Sequence, residues 1–461
     1  MSCRSSILIA SLCAFSWVSR KSIHKSDADE MRKAVAFRLT DAYEDRFAIS
    51  PDGTSVVHAP TGVSASDGEH VRPFEVRDAN TSARIAYIHL PIRPAIYEQI
   101  NGIQFCDHGK YLLVNASVDF DPDHPPKSEK PRGQNAEVDF LRVVDMKSYT
   151  LHTDISLGTA EEDTPQQVLE QPHKAYELGG TLSYVVCAAN APIAVAVIGH
   201  ALHLITIKVF NLETGAAVTG FNDVLLQSVV LGLAISPEAT SLALFGPQRA
   251  QEMEDTTAVD YQVTIIDLQA KKVARTVPVQ SPYNFNAIKY AGESTVAIEL
   301  FDQGPSESPP FGWTGQLNYF HTRASIHFLD VGSGADVKTI SRPDKGDFRL
   351  LGISADGRAM LVRTDTEHFC FSCNRGEGEE EITDSRFMLW SPQSGHPISR
   401  SPSLKVVHHW CLLPNSGPSI FGNCIPSDEE PELELSQGGN SVAALWKLGN
   451  QPILVYGLPV H

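Results

Sequence analysis

Phe47-Ala48-Ile49-Ser50-Pro51-Asp52-Gly53, followed at once by Val56-Val57, is the stretch whose reading decides the fold. Three apolar residues, a Ser-Pro-Asp-Gly turn and a second apolar pair predict two short antiparallel strands. Proline presets one turn dihedral, aspartate bonds its own backbone, and glycine supplies a positive φ. The phrase returns at Ile103–Gly109 leading to Tyr111–Val114, and at Leu231–Pro237 leading to Leu242–Phe245. It returns again at Leu351–Gly357 leading to Met360–Val362, with fainter copies at Val185–Val197, Ile288–Ile298 and Leu412–Phe421.

A second phrase follows each of these: an alternating strand that ends in apolar residues and then Asp or a polar substitute. It occurs at Phe74–Asp78, Leu141–Asp145, Ile207–Asn211, Val263–Asp267, Ile326–Asp330, Phe387–Ser391 and Val442–Lys447. The strand ends are separated by 67, 66, 56, 63, 61 and 56 residues, a near-even period. A turn then leads to a fourth strand, as at Arg84–Leu90, Ala216–Phe221 and Ile453–Leu458. Seven four-stranded antiparallel sheets cannot each bury both faces alone. Packed radially they cover one another, so the sequence predicts an all-β, seven-bladed β-propeller over residues 33–461. Its seventh blade closes with Ile453–Leu458 as the expected outer strand, or with an N-terminal strand such as Val35–Leu39.

The Ser-Pro-Asp-Gly turn and the apolar-apolar-Asp strand end resemble the WD-repeat propellers. Trp390 and Trp446 stand at the family's Trp position, followed by Ser391 and Lys447 where the family has Asp. Asp78, Asp145, Asp267 and Asp330 stand at its Asp position without the Trp, and no repeat carries the family's earlier Gly-His pair. The resemblance is degenerate: it implies the fold, with the family's internal hydrogen-bond network mostly missing.

Composition sets outer limits. The 461 residues are 42% hydrophobic and 20% charged, an ordinary globular balance that excludes wholesale disorder and coiled-coil architecture. No run is apolar for long enough to span a bilayer as a helix. The net charge of −18 argues against nucleic acid as a partner. Eight cysteines at irregular spacing do not make a disulfide framework. Residues 1–32 read as a flexible tail, or as a signal segment from the apolar stretch Ile7–Val18. Two glycosylation sequons, Asn80-Thr81-Ser82 and Asn115-Ala116-Ser117, are about what chance supplies. A cytoplasmic or nuclear location is expected, with secretion as the alternative, and the isolated chain is expected to be a monomer.

Tight turns join the first strand to the second and the third to the fourth, whereas long insertions fall at 119–137, 158–180, 247–260, 302–323, 365–385 and 427–440. One face of the disc is therefore expected to be smooth and the other crowned by loops, where function concentrates. Three of these insertions are acidic, and the residues singled out for a basic protein partner are Glu379, Glu380, Glu381, Glu429 and Glu430. Insertion 302–323 adds Phe311 and Trp313 as aromatic anchors, against the plain alternative that they cap their own blade. Cys370-x-x-Cys373 has zinc-compatible spacing, with His408, His409 or Cys411 able to complete a tetrahedron. A buried thiol in a strand is the commoner use of such residues, so no metal or other cofactor is expected. No nucleophile elbow, P-loop, dinucleotide glycine motif or His-Glu-x-x-His is present. The expected function is that of a non-enzymatic interaction scaffold. The competing reading is an enzyme or small-molecule binder using the central channel, with His58, Asp107, His108, Asn190 and Asp356 as its polar candidates.

Overall fold

The computed structural model describes residues 29–30, 32–38, 46–59, 62–64, 73–91, 97–119, 137–159, 181–199, 204–221, 225–227, 229–248, 260–279, 283–303, 322–341, 347–365, 367–374, 377–401, 404–412, 421–423, 432–445 and 452–457. These form seven blades whose strands, a to d, pair antiparallel from the inside outward. Blade 1 is Arg46–Ile49, Ser55–Ala59, Phe74–Asp78 and Arg84–Ile88; blade 2 is Tyr97–Cys106, Tyr111–Asp119, Glu137–Asp145 and Thr150–Thr159. Blade 3 is Thr181–Cys187, Ile193–Gly199, Leu204–Asn211 and Leu225–Gln227; blade 4 is Gly232–Ile235, Ser241–Pro247, Tyr261–Asp267 and Lys272–Val279. Blade 5 is Tyr283–Tyr290, Thr295–Gln303, Thr322–Asp330 and Asp336–Ser341; blade 6 is Asp347–Ile353, Met360–Asp365, Glu377–Trp390 and Pro397–Arg400. Blade 7 is Glu432–Leu435, Ser441–Leu445 and Pro452–Gly457, completed by Arg32–Arg38 from the other end of the chain.

The two recurring phrases are local hydrogen-bond devices. In the a–b turns, Ser50, Ser236, Ser354 and Ser436 each accept the backbone N–H five residues on. Ser50 and Ser354 also donate to Asp52 and Asp356. In the c–d turns, the Asp or Asn at the strand end accepts backbone N–H groups two or three residues ahead. Asp78, Asp145, Asn211, Asp267 and Asp330 all do this, and the Ser391 hydroxyl takes over the role in blade 6. The polar residue ends the strand by offering the backbone a partner other than the next sheet hydrogen bond.

Burial is organised between blades. Val57, Phe74 and Ile88 of blade 1 pack with Phe105, Leu112 and Val114 of blade 2. Equivalent clusters sit at the joints of blades 2 with 3, 3 with 4, 4 with 5, 5 with 6 and 6 with 7. At the joint of blades 7 and 1 the cluster is Phe47, Ile49, Val56, Ala79, Ala443 and Val455. Each fully buried Val, Leu, Ile or Phe contributes about 1.5–3 kcal/mol, so the ring is held by its joints.

Ring closure follows the N-terminal alternative and not the favoured C-terminal outer strand. Pro452–Gly457 is the third strand of blade 7, and Arg32–Arg38 lies outside it in antiparallel register, from Arg32 opposite Gly457 to Arg38 opposite Pro452. The seventh a–b phrase is Leu433–Leu435, the Ser436–Asn440 turn and Ser441–Leu445, rather than Leu412–Phe421. Val442–Leu445 is thus a second strand, and Trp446 and Lys447 lie outside the described residues. With the outer strand supplied by the chain's beginning, blade 7 needs no c–d turn and no Asp at its end. Asp29–Glu30 also pairs, in parallel, with Ser399–Arg400 of blade 6, so one N-terminal segment is hydrogen-bonded to two blades.

The expected loop 365–385 is also corrected. Glu367–Asn374 pairs with the first part of the 14-residue strand Glu377–Trp390, and Leu404–Leu412 pairs on its other side, followed by Phe421–Asn423. This second sheet extends blade 6. Alternating apolar residues in its two flanking segments supply β-formers that outweigh the poor strand preference of the glutamates between them. Insertion 427–440 likewise contains the inner strand and first turn of blade 7.

Candidate functional site

The a–b turns of successive blades meet around the axis on the tight-turn face. The Asp107 and His108 N–H groups donate to Ala188 and Ala189 at 3.2 and 2.6 Å, joining blade 2 to blade 3. Asn190 donates its N–H to Pro237 and its side-chain amide to Glu238, reaching blade 4. Glu293 of blade 5 accepts from the Glu238 N–H and the Thr240 hydroxyl. Ala355 donates to Gln437, Gly438 to Pro51, and the Asn440 side chain to Asp52, linking blades 6, 7 and 1. Gln437 reaches past blade 1 to the Phe105 carbonyl of blade 2 at 2.6 Å. Polar residues are needed here because a rigid turn leaves backbone groups that no strand neighbour satisfies.

This belt carries carboxylates from five blades: Asp52, Asp107, Glu238, Glu293 and Asp356. Within it a cavity of about 570 Å³ opens between blades 1 and 2 and reaches the axis at Asn190, Asp356 and Gln437. Val76, Phe105, Met146 and Tyr149 give it apolar walls, while Asp52, His108 and Asp356 stand at the polar side. Partial burial pushes the Asp52 carboxyl up, but the Ser50 hydroxyl and the Thr54 N–H and hydroxyl outweigh it and hold it below its ordinary value. Asp52 is therefore an anion at neutral pH, fixed in direction by its donors.

Two adjacent non-glycine residues at this rim, Asp107 and His108, have φ of 49° and 54°. Left-handed backbone costs such residues about 1–2 kcal/mol each. The interblade bonds from their N–H groups hold the turn in that state, and it directs the exposed His108 to the cavity. Lys289, on the inner strand of blade 5, is solvent-exposed at its surface yet has protein packed around it. That enclosure depresses its pKa, and Glu434 on the inner strand of blade 7 partly opposes the effect.

Of the channel candidates, His108, Asn190 and Asp356 come together at this cavity, with Asp107 in the same belt. His58 does not: it lies on the second strand of blade 1, opposite Phe47 and Glu75. Asp52, Tyr149 and Gln437 were not singled out; the Ser-Pro-Asp-Gly phrase pointed to Asp52 as a turn residue only. Glu379, Glu380 and Glu381 occupy the middle strand of the extra sheet. Register sets Glu379 between Cys370 and His409, Glu380 between Phe369 and His408, and Glu381 between His368 and Val407. Cys373 belongs to the flanking strand, and the side chains of all these residues lie outside the described ones. Phe311, Trp313, Glu429 and Glu430 lie outside the described residues altogether. Among the described residues, no three His, Cys, Asp or Glu side chains are grouped to hold a metal ion, and no helix is long and apolar enough to cross a membrane.

A covalent bond that the sequence did not predict lies beside this site. Cys106 and Cys187, at the ends of the inner strands of blades 2 and 3, form a disulfide with Cα atoms 5.8 Å apart. Neither belongs to a cysteine-spacing motif, and they lie 81 positions apart. Only the equivalence of their positions in two successive copies of the repeat could have indicated the pairing.

No protein-family model matches the chain, and no curated protein sequence matches it. Solved structures similar to it include hydrazine synthase of Kuenenia stuttgartiensis, with 12% identity and a TM-score of 0.47 over 95% of this chain and 100% of that one. A chain of the mitotic checkpoint complex gives 14% identity and 0.43 over 95% and 99%. The Dos1 propeller gives 10% and 0.47 over 93% and 96%. At such identities no functional residue can be carried across.

Proposed function

We propose that this protein is a non-enzymatic interaction scaffold whose tight-turn face receives a basic segment of a protein partner at the axial mouth. The observation that carries the reading is the cavity there: apolar walls from Val76, Phe105, Met146 and Tyr149 beside the fixed carboxylates Asp52 and Asp356. A Lys or Arg side chain suits that combination, with its methylene stem against the apolar wall and its charged head at the carboxylates. The carboxylates of Glu238 and Glu293 extend the same sign of charge around the belt, favouring fast, salt-sensitive encounter. The opposite face, the long face to which the long insertions were assigned, offers a second contact through the acidic strand of the extra sheet.

Cross-linking and mass spectrometry on the intact chain in its own cells identify the partner and the cross-linked residues. Binding by that partner is then measured against salt, for Asp356→Asn with Asp107→Asn, and separately for Glu379→Gln, Glu380→Gln and Glu381→Gln together. The mouth pair is expected to slow association several-fold and flatten the salt dependence. Loss confined to the glutamate triple variant moves the interface to the long face. Binding indifferent to salt and to both sets defeats the electrostatic reading.

A further inference from the structure

The two Asn-x-Ser sequons fall in opposite environments. Asn80 is exposed at the tip of the c–d turn of blade 1, where only its backbone N–H is used, donated to Asp78 at 2.9 Å. The turn around it is fixed independently: Asp78 also accepts the Thr81 N–H and hydroxyl at 2.7 and 2.9 Å. Ser82, the hydroxyl residue of the sequon, holds a left-handed φ of 61° and keeps its hydroxyl out of these bonds. Asn115 stands mid-strand in blade 2, between Gly102 and Leu141 in register, with its Oδ1 buried. A glycan there would have to be built on a half-buried side chain in the middle of a paired sheet. The second observation is the disulfide: Cys106 is wholly buried and Cys187 nearly so, and they are joined across two blades. Structural disulfides of this kind form and persist in oxidising compartments and are rare in the reducing cytosol.

From these two observations we infer that the chain folds in the secretory pathway and is N-glycosylated at Asn80 and not at Asn115. Formation of the disulfide removes two electrons and two protons from the Cys106 and Cys187 thiols, passed to a thiol–disulfide oxidant of that compartment. Glycosylation forms a bond from Asn80 Nδ2 to the anomeric carbon of a lipid-diphosphate-linked oligosaccharide. The carbon–oxygen bond to the diphosphate breaks, the lipid diphosphate leaves, and the amide gives up one proton. The inference is independent of the partner reading, because an extracytoplasmic scaffold and an extracytoplasmic binder of small molecules would both carry the modification.

The test uses the full chain expressed in eukaryotic cells, alkylated at lysis and mapped by mass spectrometry under non-reducing conditions. The expected result is a Cys106–Cys187 linked peptide, together with an Asn80 peptide that carries a glycan removable by peptide N-glycosidase. Asn115 in the same wild-type sample is expected to be unmodified, and Asn80→Gln to lose the whole glycan mass. Alkylated free thiols at Cys106 and Cys187 overturn the inference. A bridged protein with bare Asn80, or with the glycan on Asn115, overturns it as well. Wild-type protein supplies each of these readouts, so a variant that fails to fold leaves the test intact.

Discussion

The joint between blades 2 and 3 and the joint between blades 7 and 1 hold neighbouring sheets by different means. At the first, Tyr111, Leu113, Leu141, Val143, Ile198 and Phe210 belong to a broad apolar cluster, and a disulfide crosses between the inner strands. At the second, the described core is small, and four of its six residues are Ala or Val. Hydrogen bonds from Gly438 and Asn440 to Pro51 and Asp52 supplement it, and the blade behind them is completed by the chain's beginning. One joint is fastened by burial and a covalent bond; the other depends on the two chain ends finding each other. A ring is as durable as its weakest joint, so cooperative unfolding is expected to start at the closure.

Deleting residues 32–38 tests this most severely. The strand Pro452–Gly457 would lose its outer partner and present a bare edge beside Val455 and Tyr456. The melting temperature is expected to fall further than for any point substitution, by roughly 10 °C or more if several kcal/mol are lost. Calorimetry or circular dichroism reads it, and an unchanged transition would reassign the closure. The Tyr456 phenol, whose pKa burial pushes up to about 12, should then titrate nearer its ordinary value, a change visible in its ultraviolet absorbance.

Reducing the disulfide is expected to have the next largest effect. Closing a loop with an 81-residue separation contributes about 4 kcal/mol in the chain-entropy account. Cys106→Ala with Cys187→Ala, or wild-type protein in reductant, should melt several degrees lower. If the closure is the weaker joint, local opening by hydrogen exchange at Gly438 and Ser55 should remain faster than at Ala188 even without the disulfide. Faster exchange at Ala188 would make the bond the reason that joint is the stronger one.

How much of this was legible in sequence follows from how local each feature is. Ser50-Pro51-Asp52-Gly53 and the aspartates at 78, 145, 267 and 330 make their bonds within five residues, so each copy announces itself. Closure pairs residue 32 with residue 457. Alternation in Arg32–Arg38 and in Pro452–Gly457 is equally good for an outer or an inner strand, and proximity along the chain favours the one that the structure places third. Glu377–Glu381 read as a solvated loop because glutamate disfavours strands. Its two flanking strands, one of them past blade 6, decided otherwise. The cavity rim was half visible: His108, Asn190 and Asp356 follow turn phrases, whereas Gln437 belongs to a turn that the sequence placed in an acidic insertion.

A smaller effect is expected from Gly438→Ala. A β-carbon there would lie 2.7 Å from the Pro51 carbonyl oxygen, a backbone atom of the neighbouring blade that also accepts the Gly438 N–H. The blades would have to part by a few tenths of an ångström, at a cost of about 1–3 kcal/mol. A matching change on the inner strand of blade 2, Gly102→Ala, meets nothing within 4 Å and is expected to be nearly neutral. Equal losses for the two variants would remove the contrast between a tight closure and a tolerant wall.

The smallest expected effect is one of pH, and it also falls on the closure. The Asp52 carboxylate accepts from the Ser50 hydroxyl at 2.6 Å and from the Thr54 N–H and hydroxyl at 3.0 and 2.9 Å, while its backbone carbonyl accepts from Asn440. Burial raises its pKa, but these donors bring the balance below 3.8 in the folded chain. A folded pKa below the unfolded one means that the unfolded state takes up the proton first. The carboxylate's stabilisation is therefore complete above the unfolded value near 3.8 and is lost as pH falls through the lower folded value. Because the group is mostly exposed, the contribution is expected to be below about 1 kcal/mol. Asp78 and Asp330, lowered by the Thr81 and Ser333 donors, share the same sign, but their turns are at the ends of the third strands and away from the axis. Asp52→Asn keeps an acceptor oxygen and removes the charge, so it should flatten the acid-end decline of hydrogen-exchange protection at Gly438 and Ser55. The same substitution should leave Ala188 unchanged. If all three amides lose protection together as pH falls, acid acts on the ring as a whole and the closure has no acid sensitivity of its own.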